Sequence, residues 1–518
     1  MTLGDLVDRA VALAPLAGLD RLAAQVRART AAGVEYDSRR VEPGQVFFAL
    51  KGQHADGAAF AAEAAARGAA LVVSDRPAPD GWMQPWLVSA DARLALAAFA
   101  AVFYGHPSEA LLTIGVTGTN GKTTTTYLLS SVLDAAGYRC GRIGTIGYRV
   151  GSVEADAART TPEAPDVQRL LRAMADERCT ACAMEVSSHA LALKRVDFVR
   201  FSAGVFSNLT RDHLDFHGGM EEYFAAKRRL FDMLPDGAPA VINVDDPYGR
   251  RLAEAWPRAV TYAMTSPATV TAGNVALSLQ GIAFDAQSPR GAVAVRSSLV
   301  GRPNAYNVLA TVATGLALDL PPAAIALGVA EVRSVPGRFE TVSSPDDDVT
   351  VLVDYAHTDD ALRNLLETAR PLTRGRLVSV FGCGGDRDRT KRPLMGAVAS
   401  RLSDLVIVTS DNPRSEDPDA IIDDVVRGLA APERPAVHLG QPVAPIKTTP
   451  WLRIVDREAA IHRAVRDAQP GDAVIVAGKG HEKTQVIGSR VLPFDDADVA
   501  RAALARRREA RTTAGSGA

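Results

Sequence analysis

Four cysteines in 518 residues are too few for a disulfide framework. Cys179 and Cys182 are spaced C-x-x-C, but no second pair completes a zinc site. They lead into the strand-like Ala183-Met184-Glu185-Val186, so buried thiols and a reducing, cytoplasmic compartment are expected. Neither charge sign dominates. The 58 Lys and Arg stand against 60 Asp and Glu, a formal charge of −2 that removes any global drive toward nucleic acid or anionic membrane. A polyanionic ligand must therefore be met locally. Long apolar runs are also missing: residues 94–104 and the Ala-rich 58–73 are short or interrupted by charge, below the ~18 residues a membrane span needs. Residues 1–20 carry Asp5, Asp8 and Arg9 within their apolar pattern, unlike a signal peptide, so a soluble protein without membrane insertion is expected. Lysine is rare as well. There are eight (positions 51, 122, 194, 227, 391, 447, 479 and 483) against fifty arginines, which makes each one worth questioning.

What is present is globular composition, 47% hydrophobic and 23% charged, in a chain long enough for about three domains at roughly 150 residues each. Short β-like runs at 46–50, 71–74 and 86–89 alternate with Ala-rich helical segments until His106-Pro107-Ser108 breaks the pattern. From residue 111 the reading becomes a long α/β alternation: strand 111–116, helix 123–136, strands 181–186 and 203–208, helix 220–234, strand 240–244. A second break falls at residues 333–337. Strands 349–354, 377–381, 405–409 and 473–477 follow, alternating with helical segments. The expected architecture is α/β with three domains: 1–107, a central parallel-sheet P-loop ATPase domain at 108–334, and a C-terminal Rossmann-like domain at 335–518. An Arg-rich tail from Arg501 reads as a helix that frays into a disordered end.

The clearest chemical motif is Gly118-Thr119-Asn120-Gly121-Lys122-Thr123-Thr124. It follows an apolar strand and opens a helix whose Leu128, Leu129, Val132 and Leu133 recur at helical spacing, the context that a phosphate loop requires. Glycines let successive N–H groups face an anion, Lys122 reaches the terminal phosphates, and the Thr123 hydroxyl can ligate Mg²⁺. Val116 stands where the strict motif asks for Gly. Glu185 and His213 lie after two further strands and are candidate metal ligands, although either residue alone reads as a solvated turn carboxylate or a structural histidine.

These segments occur in a recognisable order: the phosphate loop, residues 185–189, 208–215, 223–227, 304–307, 336–340 and 354–357. The chain resembles the Mur ligases, ATP-dependent amide-forming enzymes of peptidoglycan precursor synthesis. Residues 382–387, 411–414 and 477–482 are similar to the branch that adds the third amino acid of the peptide. The resemblance implies ATP and Mg²⁺, an acceptor UDP-MurNAc-L-Ala-D-Glu whose D-Glu side-chain carboxylate passes through an acyl phosphate, and meso-diaminopimelate as the incoming amine. The first domain would bind the UDP end. Ser38, Gln53, His54 and Ala55 would meet the uridine end, and Thr160, Thr161, Ser187 and Arg195 the muramoyl dipeptide. Asn307, Arg338, Asp354 and His357 would join the phosphate loop at the nucleotide. Arg387, Asp411, Asn412, Pro413, Arg414, Gly478 and Glu482 would bind diaminopimelate, with Arg414 facing its extra carboxylate and Glu482 an ammonium. Lys227 would carry a carbamate formed from CO₂ and ligate Mg²⁺ with Thr123, Glu185 and His213; without the resemblance it reads as an ordinary solvated lysine. Arg159, Leu193 and Pro303 depart from the family pattern, where Asn, Gln and an aromatic residue are expected. A plain structural reading of Arg414 pairs it with Glu416 or Asp417. The alternatives are the same ligase using L-lysine, a folylpolyglutamate synthase-like ligase, which should lack the first domain and Asn412-Pro413-Arg414, and a phosphate-loop switch or motor, which needs no amine site. No protein partner is legible.

Overall fold

A computed structural model describes residues 1–52, 56–344, 346–430 and 449–515. The chain packs as two compact units: Met1–Thr271, Gln287–Gly291 and Leu309–Gly328 in the first, and Ala272–Ala286, Ala292–Val308 and Val329–Ala518 in the second. Among the described residues no helix is long and apolar enough to cross a membrane. All four cysteines are buried free thiols, and burial pushes the Cys140 and Cys383 thiols up to about 12.

The first unit opens on a four-stranded parallel sheet, Gly33–Glu35, Gln45–Ala49, Leu71–Ser74 and Trp86–Val88, paired in chain order. Its apolar face lies under helices Leu3–Val11 and Ala92–Phe103, where Phe48 meets Phe99 edge-on at 5.2 Å between ring centroids. The expected break at 106–108 is a left-handed His106 followed by the short helix Pro107–Ala110. Strand Leu112–Thr117 then runs parallel between Ala181–Glu185 on one side and Ala203–Phe206 on the other. Its residues are nearly all buried, as expected for a strand covered on both faces. The loops at 118–121, 186–187 and 207–213 leave this sheet at the carboxyl ends of neighbouring strands, where open α/β sheets gather ligand-binding groups.

In the second unit the strand order is Glu340–Thr341, Thr350–Asp354, Ala473–Ala477, Leu377–Phe381, Leu405–Val408, Trp451–Arg453. The first pair is antiparallel and the others are parallel. The last strand of this sheet in chain order thus inserts between two earlier ones, and the loops after 354, 381, 408 and 477 share one edge. Strands Val270–Ser278, Gly281–Ser288 and Gly291–Ser297, none of them expected, alternate buried Ile282, Phe284 and Ala286 with more accessible residues. The C-terminal helix Asp496–Gly515 carries the Arg-rich tail, and the expected fraying at 516–518 lies outside the described residues.

A buried ion pair ties the strand ends of this sheet together. Arg457 Nε and Nη2 each donate at 2.7 Å to the Asp496 carboxylate, and both side chains are fully buried. Arg457 also donates to the carbonyls of Ser410 (3.3 Å) and Ala477 (2.9 Å). Removing one partner of such a pair strands the other charge, so Arg457→Met is expected to cost about 3–5 kcal/mol in chemical denaturation. A loss below about 1 kcal/mol contradicts that role.

Candidate functional site

The phosphate-loop side of the first unit is built from glycines, hydroxyls and one buried lysine. Gly121 in the left-handed region is the N-cap of helix Lys122–Ala135. Gly118 adopts φ +148°, and a Cβ there would overlap the Ser207 hydroxyl and crowd the Asn208 backbone. The turn is thus made at Gly118 and Gly121, which explains why Val116 in the preceding strand is tolerated. Gly118→Ala is expected to cost about 1–3 kcal/mol of stability through this strain and to weaken nucleotide binding together with it. A Gly118→Ala variant with unchanged melting and nucleotide affinity would show that the loop does not need this geometry.

Lys122 Nζ folds back onto the carbonyls of Gly118 and Thr119, each at 2.9 Å. The neighbouring strand-end loop locks the loop's shape: Thr119 N donates to Asn208 O at 2.9 Å, and Asn120 N to Asn208 Oδ1 at 2.9 Å. Thr124 is buried in the first turn of the helix. Thr123 Oγ1 donates to Glu185 Oε2 at 3.0 Å. Glu185 is buried, not the solvated turn residue that its strand-end position alone suggests. It also accepts from Thr145 N (2.7 Å) and Thr145 Oγ1 (3.1 Å). Thr145 was not singled out in the sequence because it lies in a loop remote from every motif. Its hydroxyl is 3.0 Å from that of Thr160, while Thr161 Oγ1 donates to Glu185 O at 2.8 Å and accepts from Ser187 N at 3.1 Å. Arg195 donates to Thr161 O at 3.2 Å and pairs with Glu163 at 2.8 Å. The departure Arg159 joins the same Glu163 at 3.0 Å. One polar chain therefore links Thr123, Glu185, Thr145, Thr160, Thr161, Ser187 and Arg195.

Lys227 corrects the solvated reading of its sequence context. It is 1% exposed on helix Met220–Asp232, and Nζ donates to Gly118 O at 2.7 Å. The ammonium sits 4.5 Å from the Tyr223 ring centroid, and the Tyr223 hydroxyl lies 3.2 Å from Thr119 Oγ1. Burial, reinforced by the positive charge of Lys122, holds Lys227 well below the usual lysine range. His213, at φ +51°, lies within an aromatic group: its ring is 4.8 Å from His189 and 6.3 Å from Tyr223. His217 bonds Ser188 Oγ at 2.9 Å. Burial and the adjacent His213 and His217 hold His189 down to about 4. Among the described residues no three His, Cys, Asp or Glu side chains stand together as a cation site. Ser38 Oγ donates to Glu63 at 2.7 Å, and Gln53, His54 and Ala55 lie outside the described residues.

In the second unit the loops at the shared sheet edge bring Asp411, Asn412, Pro413, Arg414, Gly478 and Glu482 together. Asn412 Nδ2 donates to Glu482 Oε2 at 2.8 Å, and Gly385 N to Asn412 O at 2.9 Å. Pro413 is buried. Gly478 has φ +117°, and a Cβ there would stand 2.9 Å from Asp411 Oδ2. Arg414, at φ +53°, donates from Nη1 to Gly385 O at 2.8 Å. The expected turn pairing with Glu416 or Asp417 is not formed: Glu416 is held by Arg392 at 2.9 Å and Arg389 at 3.1 Å. Among the described residues Arg414 forms no ion pair, although after the Ser415 hydrogen bonds its charge also helps hold Asp386 below the usual carboxylate range, and Arg387 is exposed. Asp354 accepts from Phe339 N (2.7 Å) and Ala356 N (2.8 Å), and its burial raises its pKa. His357 Nδ1 is 2.8 Å from Tyr355 O, and Arg338 stands over the Tyr355 ring at 5.4 Å. Asn307 is buried on helix Arg302–Ala317 and donates to Asn304 at 3.0 Å.

Three family descriptions match the chain in succession: "Mur ligase family, catalytic domain" over residues 30–104, "Mur ligase middle domain" over 116–315, and "Mur ligase, glutamate ligase domain" over 337–480. The UDP-N-acetylmuramoyl-L-alanyl-D-glutamate--2,6-diaminopimelate ligase of Solibacter usitatus is 47% identical over 93% of this chain and 95% of its own. The ligase of the same name from Geobacter metallireducens is 47% identical over 91% and 94%. A solved structure of a ligase so named superposes with a TM-score of 0.69 at 33% identity, covering 98% of this chain and 99% of that one. With near-complete coverage at this identity, and all three regions matched in order, the chain belongs to the Mur ligase family.

Proposed function

We propose that this ligase joins meso-diaminopimelate to the D-Glu side-chain carboxylate of UDP-MurNAc-L-Ala-D-Glu at the expense of ATP, in the cytoplasm. The observation that carries the amine assignment is Arg414, two residues after the Asn412 that bonds Glu482, with its guanidinium on Gly385 O and in no ion pair among the described residues. A planar fork of donors suits the second carboxylate that distinguishes diaminopimelate from lysine. Residues 1–107 would hold the uridine end, 108–334 the nucleotide and 335–518 the amino acid. Arg387 would stand at the rim of the amine site. Asn307, Arg338, Asp354 and His357 are assigned to the nucleotide on the family resemblance.

A carboxylate is a poor electrophile, so the reaction needs two displacements. A side-chain oxygen of D-Glu attacks the γ-phosphorus and ADP leaves, giving an acyl phosphate. The amine then attacks the acyl carbon, phosphate departs, and the amine loses a proton. Lys122 and the loop N–H groups offset charge on the transferring phosphoryl group, and Thr160, Thr161, Ser187 and Arg195 orient the acceptor. The donor set fits Mg²⁺: the Thr123 hydroxyl and Glu185 carboxylate are hard oxygens already 3.0 Å apart. With His213 and a carbamate on Lys227 they would hold the ion, which supplies neutralisation of the crowded phosphate charge. Carbamate formation needs an unprotonated amine, which attacks CO₂ and releases one proton; burial shifts Lys227 toward that form.

Phosphate release with each substrate omitted in turn tests the reading. Sustained turnover is expected only with ATP, the UDP-muramoyl dipeptide and the diamino acid together. Robust ATP hydrolysis without the muramoyl peptide points to a switch or motor, and turnover with a folate and glutamate to the folylpolyglutamate class; either result contradicts it.

A further inference from the structure

Lys479 is completely buried between two glycines in the left-handed region, Gly478 and Gly480. Its Nζ donates to Asn412 Oδ1 at 3.1 Å and to Glu482 Oε2 at 3.0 Å, and stands 3.6 Å from Asp411 Oδ1. Among the described residues Asp411 Oδ1 has no hydrogen-bond partner although it is buried. Burying an ammonium is costly unless its donors are taken up, so these contacts fix where Asn412 and Glu482 sit.

The contacts are selective. Asn412 Oδ1 is saturated by Lys479 and by Val486 N at 2.9 Å, which orients the amide so that Nδ2 faces Glu482. Glu482 Oε2 accepts from both Lys479 and Asn412, and among the described residues Oε1 has no donor. A purely architectural lysine would be expected to bond the backbone of the two strand-end loops. That work is already done by Arg457, through the Ser410 and Ala477 carbonyls, and by Gln485, through Asp411 O at 2.7 Å. Among the described residues the partners of Lys479 Nζ are side chains of the amine site.

We propose that Lys479 is a positioning residue for the incoming diamino acid: it occupies one oxygen of Glu482 and the carbonyl of Asn412, and so presents Glu482 Oε1 and the second Asn412 Nδ2 hydrogen to the ammonium and carboxylate of one amino-acid centre. A carboxylate acceptor and an amide donor side by side match that zwitterionic head, while Arg414 meets the distal carboxylate. This rests on the functional reading above and adds to it a residue that touches no substrate.

The test is Lys479→Met, assayed by two half-reactions. The KM for meso-diaminopimelate is expected to rise about 10- to 100-fold, as for loss of charge-assisted hydrogen bonds. Acyl phosphate formed from ATP and the acceptor, trapped with hydroxylamine in the absence of amino acid, should stay within about twofold of wild type, since its groups lie elsewhere. Glu482→Gln should cost a similar factor, and the double variant little more than either single one, because both remove the same presentation. If Lys479→Met does not fold, Lys479→Gln, which keeps one donor in the cavity without the charge, carries the same expectation. An unchanged KM in a folded variant, an equal loss in both half-reactions, full multiplication in the double variant, or failure of both versions to fold overturns the positioning role. Wild-type protein that ligates no diamino acid overturns the functional reading and this inference with it; an active wild type with an unchanged variant KM overturns this inference alone.

Discussion

Lys227→Ala is expected to abolish ligation, with kcat down about 10³-fold or more, some 4 kcal/mol of transition-state stabilisation. The size follows from position. Lys227 is buried, bonds the phosphate-loop carbonyl of Gly118 and packs on Tyr223, so its truncation changes both the loop's support and the anionic oxygen proposed there. An ordinary surface lysine would change turnover little. Circular dichroism and melting should show a folded protein, because the buried face of the helix retains Tyr223, Phe224, Leu230 and Phe231. Acetate or formate should restore part of the rate by supplying a carboxylate to the vacated position. A variant with near-normal turnover, or an intact active nucleotide complex with unmodified Lys227, contradicts the carbamate.

The second large effect is amine selection at Arg414. Wild-type kcat/KM for meso-diaminopimelate is expected to exceed that for L-lysine by about 10⁴-fold, since a site built to pair a charged group is left unsatisfied by a ligand that lacks it. Arg414→Ala should raise the KM for diaminopimelate about 10²- to 10³-fold and leave those for ATP and the muramoyl dipeptide nearly unchanged, which shrinks the preference over lysine. Steady-state kinetics with each amine resolves the three KM values. Equal use of lysine by the wild type contradicts this assignment and leaves the ligase intact.

The strand, glycine turn and helix at residues 112–135 were legible because a buried strand, a Gly-Lys-Thr turn and an apolar helical periodicity each leave a local mark, and these coincide there. The burial of Lys227 was half legible. Residues 223, 227, 230 and 231 share one helical face, but the adjacent Arg228 and Arg229 suggested solvent; Arg229 instead turns to Asp197 at 3.0 Å and Arg228 lies over Trp256 at 5.4 Å. Arg414 misled in the other direction. Nearness in sequence to Glu416 suggested a pair, whereas the left-handed backbone at Arg414 sends its guanidinium to Gly385 and leaves Glu416 to Arg392. Thr145 and the bond from Lys479 to Glu482 depend on which loops meet at a sheet edge, which no short window of sequence records. The strands between 270 and 297 do alternate, at Ile282, Phe284 and Ala286, a period-2 signal present in the sequence.

Product mass is the most direct measurement of the central claim. The protein is incubated with ATP, Mg²⁺, UDP-MurNAc-L-Ala-D-Glu and an equimolar panel of diamino acids, and the products are weighed and fragmented. The account predicts one new species, the acceptor plus meso-diaminopimelate less one water, with the new amide on the D-Glu side-chain carboxylate. An unmodified acceptor alongside ongoing ATP consumption, or a product carrying a different amine, would contradict it.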